Sequence, residues 1–125
     1  MQPSADNNPA EIYATLRRAV LAKQPVAAIY EGRQRFLCPH ILGWTEVGLP
    51  HLVSYQYGGD SEHGLGEEGS PGNWRCMAVE ILRSVELREG PWKTASNYRL
   101  PHPYVPQVDV AVEAPLTGGE PQNGQ

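Results

Sequence analysis

VAAIYEGRQRFLCPHILGWTEVGLPHLVSYQY, residues 26–57, decides the fold. Its first five residues form a short apolar run that reads as a strand, and Glu31-Gly32 supplies a turn. Residues 33–42 read as a long second strand and residues 43–48 as the next turn. In residues 49–57, Leu49, His51, Val53, Tyr55 and Tyr57 alternate with Pro50, Leu52, Ser54 and Gln56. That period of two is the signature of a strand with two unlike faces.

Upstream of this stretch the texture is helical. Asn8 can accept hydrogen bonds from free backbone N–H groups, Pro9 suits the first helical position, and Glu11 favours the positive end of the dipole. Ile12, Leu16, Ala19 and Val20 follow at helical spacing, and Lys23 ends the stripe. Gln24-Pro25 stops the helix, because a residue before proline is pushed out of the α region.

Downstream, residues 58–73 (GGDSEHGLGEEGSPGN) hold four acids and neither lysine nor arginine, and predict a mobile surface loop. Residues 74–82 and 84–87 read as two further strands, and Gly90-Pro91 breaks the run. Residues 97–107 contain Pro101, Pro103 and Pro106 among aromatics, which predicts an extended segment lying along the domain. Residues 108–112 can add an edge strand. The expected organisation is a flexible leader over residues 1–8, one domain over 9–112, and a disordered tail over 113–125. One helix followed by about five short strands predicts a mainly β, α+β domain, a small and strongly bent barrel preceded by a helix.

Composition narrows the function classes. At 125 residues there is room for one hydrophobic core. A net charge of −4 and a pI near 5.5 count against a general nucleic-acid-coating role, since phosphate neutralisation needs a basic excess. Cys38 and Cys76 lie far apart with no C-x-x-C spacing, the N-terminus lacks a signal pattern, and no apolar run approaches the roughly 20 residues that cross a bilayer. Together these predict a soluble cytoplasmic chain with no membrane partner.

From residue 12 to residue 87 the order of elements resembles the WYL domain family, bacterial domains with an Sm-like or SH3-like barrel. The helix IYATLRRAVLAKQPV leads into Ile29-Tyr30, a turn at Gly32 follows, and Arg35 and Pro39 fit the family's R-x-x-x-P strand. LPHLVSY stands at the naming triplet, here Pro50-His51-Leu52, and WRCMAVEI at the closing strand, with Glu80 where the family has arginine. The resemblance implies a regulatory module that senses nucleotides, nucleic acid or small anions through basic and aromatic residues. Family members commonly follow a DNA-binding helix-turn-helix domain. Here about two dozen residues precede the barrel, which implies a standalone member.

The residues that would carry anion binding are Arg33, Arg35 and Arg75. Arg33 and Arg35 are two apart on one strand, hence on one face, and a guanidinium grips phosphate or carboxylate in bidentate fashion. The competing reading is a solvated strand face paired with Glu31, Glu46 or Glu80. Tyr30, Tyr55, Tyr57, Trp44 and Trp74 offer stacking surfaces or, more commonly in a small barrel, packing volume. His51 sits on a strand that would line the pocket and can change charge near neutral pH. The predicted ligand set is therefore Arg33, Arg35, His51, Tyr55 and Arg75, with no cofactor, no metal and no catalytic residue.

Cys38 and His40, also two apart, are a distant alternative as a metal pair or as a thiolate with its base. Residues 98–105 read either as a docking surface or as the piece that closes the barrel, and closure is favoured because exposed sheet edges are usually covered. Three functional readings follow. An anion-binding module requires the three arginines to converge on one concavity. A protein-interaction or homodimerisation module requires scattered arginines and an apolar patch on the helix or an edge. A small hydrolase requires Cys38 and His40 to be exposed together in a cleft.

Overall fold

The computed structural model describes residues 8–60, 64–66 and 70–113. Helix α1, Pro9–Ala22, starts on a full capping box. The Asn8 side chain accepts from the Glu11 N–H at 2.8 Å, and the Glu11 carboxylate accepts from the Asn8 N–H at 3.3 Å. Ile12, Leu16, Ala19 and Val20 form the buried stripe that sequence periodicity predicts. Lys23 ends the helix in the left-handed region, φ 52°, with its N–H on the Ala19 and Val20 carbonyls.

Six antiparallel strands follow: β1 Val26–Tyr30, β2 Arg33–Trp44, β3 Pro50–Gly59, β4 Trp74–Ala78, β5 Arg83–Leu87 and β6 Gln107–Ala111. The main order is β4-β3-β2-β1-β5, with β6 joined to β2 off that path. Strand β2 organises the sheet. It pairs with β3 along nearly its whole length, with β1 from Arg33 to Leu37, and with β6 from Ile41 to Trp44. Its register against β3 slips between Phe36 and Leu37 and between Pro39 and Ile41. Each slip is a bulge that bends the strand, and Pro39, which has no N–H, sits beside the second.

The sheet departs from the expected barrel in closure and in detail. Among the described residues no pairing joins β4 to β5, so the sheet is bent but open, and it has six strands rather than about five. The single strand expected over residues 74–82 stops at Ala78, and one turn of 3-10 helix, Val79–Ile81, carries the chain into β5. Residues 58 and 59 belong to β3, and residues 71–73 of the predicted loop form another 3-10 turn. Most of the leader and of the tail, and residues 61–63 and 67–69 of the loop, lie outside the described residues. The edge strand expected over 108–112 is present as β6.

One apolar cluster packs α1 against the sheet through Leu16, Val26, Leu37, Ile41, Leu52, Met77 and Leu82. A smaller one, Cys38, Tyr55 and Ala95, lies where residues 92–98 cross the sheet's other side. The half-buried Trp74 and Trp92 pack against both. No helix among the described residues is long and apolar enough to cross a membrane.

Candidate functional site

The structure brings two of the three predicted arginines together and ties in the third through Asp60. Arg35, 5 % exposed in its side chain, donates from Nη1 to the Gln56 side-chain oxygen at 3.3 Å and from Nη2 to the Tyr30 carbonyl at 3.4 Å. Arg75 donates from Nε to the same Gln56 oxygen at 3.1 Å. Its other nitrogens reach the carbonyls of Gly72 at 2.8 Å, Trp74 at 3.0 Å and Gly64 at 3.4 Å. Burial, with the Arg35 guanidinium beside it, holds the Arg75 pKa below the ordinary arginine value. Arg33 does not touch Gln56 but makes a partly exposed ion pair at 3.1 Å with Asp60, whose carbonyl Gln56 holds.

The cluster serves the fold. Gln56 donates to the carbonyls of Gly58 and Asp60 at 2.9 and 2.7 Å, so two guanidiniums and one amide tie the start and end of the 58–73 loop to the sheet. Arg35 also pairs with Glu31 at 3.7 Å, one of the partners that the solvated-face reading named, and its Nε is buried without a partner. Arg35 and Arg75 thus meet at Gln56, and Arg33 joins the same neighbourhood through Asp60.

Tyr55 takes the packing role that the sequence reading set beside stacking. It is fully buried, its hydroxyl donating to the Ser70 carbonyl at 2.9 Å and accepting from the Asn73 amide at 3.4 Å, so no ring face is open for stacking. His51 is half-buried, and its Nδ1 is enclosed without a partner. Tyr30 is spent on Arg35, which lies 5.3 Å over its ring, and Trp44 on a stack with Tyr13 at 6.2 Å.

Cys38 and His40 are both fully buried. Burial pushes the Cys38 thiol up to about 11 and the His40 imidazole down to about 4. The Cys38 sulfur accepts the Lys93 N–H at 3.3 Å. His40 Nδ1 lies 2.7 Å from the Cys38 carbonyl, which can only accept, so Nδ1 carries the proton and Nε2 accepts from the Thr94 hydroxyl at 2.9 Å. The rings of Trp74, Trp92 and Tyr98 surround the imidazole at 4.7–4.8 Å. This pair fastens residues 92–98 to β2. A thiol held protonated and out of solvent is a poor nucleophile, and no group of three potential metal-ligating side chains occurs among the described residues.

Open binding geometry lies instead beside that fastening. A groove of about 310 Å³ is lined by Val53, Pro71 and Trp74 from the sheet and the loop before β4 and by Tyr98, Arg99 and His102 from the covering segment. Val53 and Trp74 reach it because facing pairs Val53–Cys76 and Tyr55–Trp74 project to one side of the unslipped β3–β4 ladder, the side that also carries His51. Trp74 and Tyr98 are stacked, 5.5 Å between centroids and 26° between planes, and the indole N–H is held by Asn97 at 2.7 Å. His102 Nδ1 accepts the Tyr104 N–H at 3.2 Å, which leaves the Nε2 proton as a free donor in the neutral ring. Burial lowers the His102 pKa. Arg99 is exposed and makes no ion pair among the described residues, and no acid lines the groove.

Of the groove's residues, sequence reasoning names Trp74 as a stacking surface and places Tyr98, Arg99 and His102 in a stretch, 98–105, read as a docking surface for a partner or as the closing piece, with closure favoured. The usable signal was a lone arginine and a histidine among aromatics, with no acid between residues 90 and 108. Comparison of the chain with known protein families, curated proteins and solved structures finds no match.

Proposed function

We propose that this domain is a binding module for a small anion carried on a planar ring, the class to which nucleotides belong, with its site in the Trp74–Tyr98–Arg99–His102 groove. One observation carries this reading: an aromatic-walled concavity of about 310 Å³ whose charged and ionisable side chains are one arginine and one histidine, with no acid. That volume is at the lower end of small-molecule sites. The half-buried Trp74 offers apolar ring surface to a base, backed by the stacked Tyr98, Arg99 a planar fork to phosphate or carboxylate, and His102 a neutral donor.

The ligand class is the one that the resemblance to WYL domains implies, but the residues differ from those first expected. The bent β2, the 3-10 turn between β4 and β5, and the β5-β1-β2-β3-β4 order support an Sm- or SH3-like half-open barrel as the parent architecture. In this reading the domain is a regulatory accessory of a bacterial cytoplasmic system, binding rather than catalysing.

A thermal-shift series at low salt tests it, using nucleoside monophosphates, short oligonucleotides and aromatic carboxylates against the chain and its variants. A ligand at 100 times its Kd stabilises the folded state by about 2.7 kcal/mol, roughly 10 °C or more in Tm for a domain near this size. The expected result is a shift that disappears in Arg99→Ala and persists in Arg33→Ala. Ligands that leave the melting point unmoved, or a shift indifferent to Arg99, would remove the groove from consideration.

A further inference from the structure

Where β3 starts, beside the first turn of α1, the molecule carries a second concavity of different chemistry. A wide cleft of about 470 Å³ opens between the first turn of α1 (Pro9, Tyr13), the ends of β2 and β3 (Trp44, Pro50), and the 3-10 turn after β4 (Val79, Glu80). Its walls are apolar, and the two prolines have no N–H to offer. The Tyr13 hydroxyl is turned away, donating to Asp109 at 2.7 Å, so the tyrosine contributes ring surface stacked on Trp44. Beside the cleft in sequence, Val47 and Leu49 at the β2–β3 turn are 80 % and 52 % exposed, and Ile81 after the 3-10 turn is 41 % exposed. An apolar wall flanked by exposed apolar side chains is the usual mark of a docking surface.

Charge indicates what docks. Glu80 lines the cleft and Glu46 lies in the turn beside it; both are exposed, and neither has a cationic partner among the described residues. The nearby cations are engaged. Arg83 Nη1 is turned onto the carbonyls of Glu80 and Leu82, and Arg17 is paired with Asp109. The cleft thus presents unneutralised acids around an apolar floor. Pairing of this face with itself about a two-fold axis would bring those acids into one interface, which disfavours a second copy as the occupant.

From this we infer that the cleft receives a cationic amphipathic segment of a partner protein. A bulky apolar side chain enters between Tyr13, Trp44 and Val79, and lysines or arginines of the segment meet Glu46 and Glu80. The site shares no lining residue with the Trp74–Tyr98 groove, so either can fail without the other.

The experiment is an anisotropy titration of the full chain with a labelled amphipathic helical peptide of leucine, tryptophan and lysine. A second peptide keeps the same apolar face with glutamate for lysine. The lysine peptide is expected to bind, and Glu80→Lys and Val47→Ser each to weaken it about fivefold or more, while Glu89→Lys, the same charge change elsewhere on the surface, leaves it unchanged. Since Val47 and Glu80 are exposed, both variants keep the fold, which circular dichroism verifies. Equal binding of the two peptides, equal loss in Glu89→Lys, no binding at all, or concentration-dependent dimerisation of the chain blocked by Val47→Ser would each overturn the proposal.

Discussion

Arg35 and His40 show how a residue type that signals chemistry in sequence is used for construction once the chain folds. Both stand on β2, and both have their polar atoms turned onto backbone: Arg35 onto the Tyr30 carbonyl, His40 onto the Cys38 carbonyl. The consequence for His40 is measurable. Burial holds its pKa at about 4 in the folded protein, whereas an unfolded histidine titrates near 6.5. Between those values the unfolded chain binds a proton that the native state refuses. The contribution is therefore complete above about pH 6.5 and is lost as pH falls toward 4. Urea unfolding at pH 7 and pH 5 should show the native chain losing roughly 2 kcal/mol more than His40→Gln over that interval. Equal losses would mean that the imidazole is protonated in place. Little of the candidate site was legible at this scale. Spacing placed Arg33 and Arg35 on one strand, but whether a guanidinium faces a ligand or a carbonyl is decided by partners distant in sequence, here Gln56 and Asp60. Tyr55 takes the packing role weighed for it beside stacking, and what spacing could not supply was the partner of its hydroxyl, Ser70, 15 positions away.

Elements were read well where their signals are local. The helix carries its own start in Asn8, Pro9 and Glu11 and its own stop before Pro25, and its buried stripe matches the predicted one. Strand β1 matches the hydrophobic pattern and β3 follows it to within two residues. The pattern fails after Ala78, where Val79, Glu80 and Ile81 have the composition of a strand but form a 3-10 turn, because the chain must leave β3 and cross to β1. Gly43 is the other miss, read as the start of a turn and found inside β2. It is the point where β6 crosses. A Cβ there would lie 2.1 Å from the Gln107 carbonyl oxygen and 2.9 Å from a Val105 methyl. Backbone oxygen cannot yield as a flexible side chain can, so Gly43→Ala should displace β6 and destabilise the domain by about 2 kcal/mol or more. Hydrogen exchange should accelerate at Val108 and Val110 while the β1–β2 amides stay protected. A variant as stable as the parent would show that β6 adds nothing to the fold.

Across the whole molecule the question is whether the cover formed by residues 92–98 is a separate flap or part of one folding unit. Its attachments run in both directions. Tyr98 stacks on Trp74 of β4 and donates to the Val112 carbonyl, while the Val112 N–H donates to the His40 carbonyl, which closes a circuit through the cover, the end of β6 and β2. Trp74 and Trp92 pack against both apolar clusters, so lifting the cover exposes surface that belongs to the helix-side core as well. Shared burial of this kind makes two layers cooperative. In a Trp44→Phe protein the remaining indoles, Trp92 in the cover and Trp74 on β4 beneath Tyr98, report on the contact between cover and sheet, and far-ultraviolet circular dichroism reports on the sheet and helix. The two urea transitions should coincide. Tyr98→Phe, which leaves the Val112 carbonyl without its hydroxyl partner, should move both midpoints together by an amount on the order of 1 kcal/mol. A fluorescence transition that runs ahead of the dichroism would instead make the cover a flap that opens on the intact sheet. The groove walled by Tyr98 and Trp74 would then exist only while that flap is closed, and a ligand held there would stabilise the flap before it stabilised the domain.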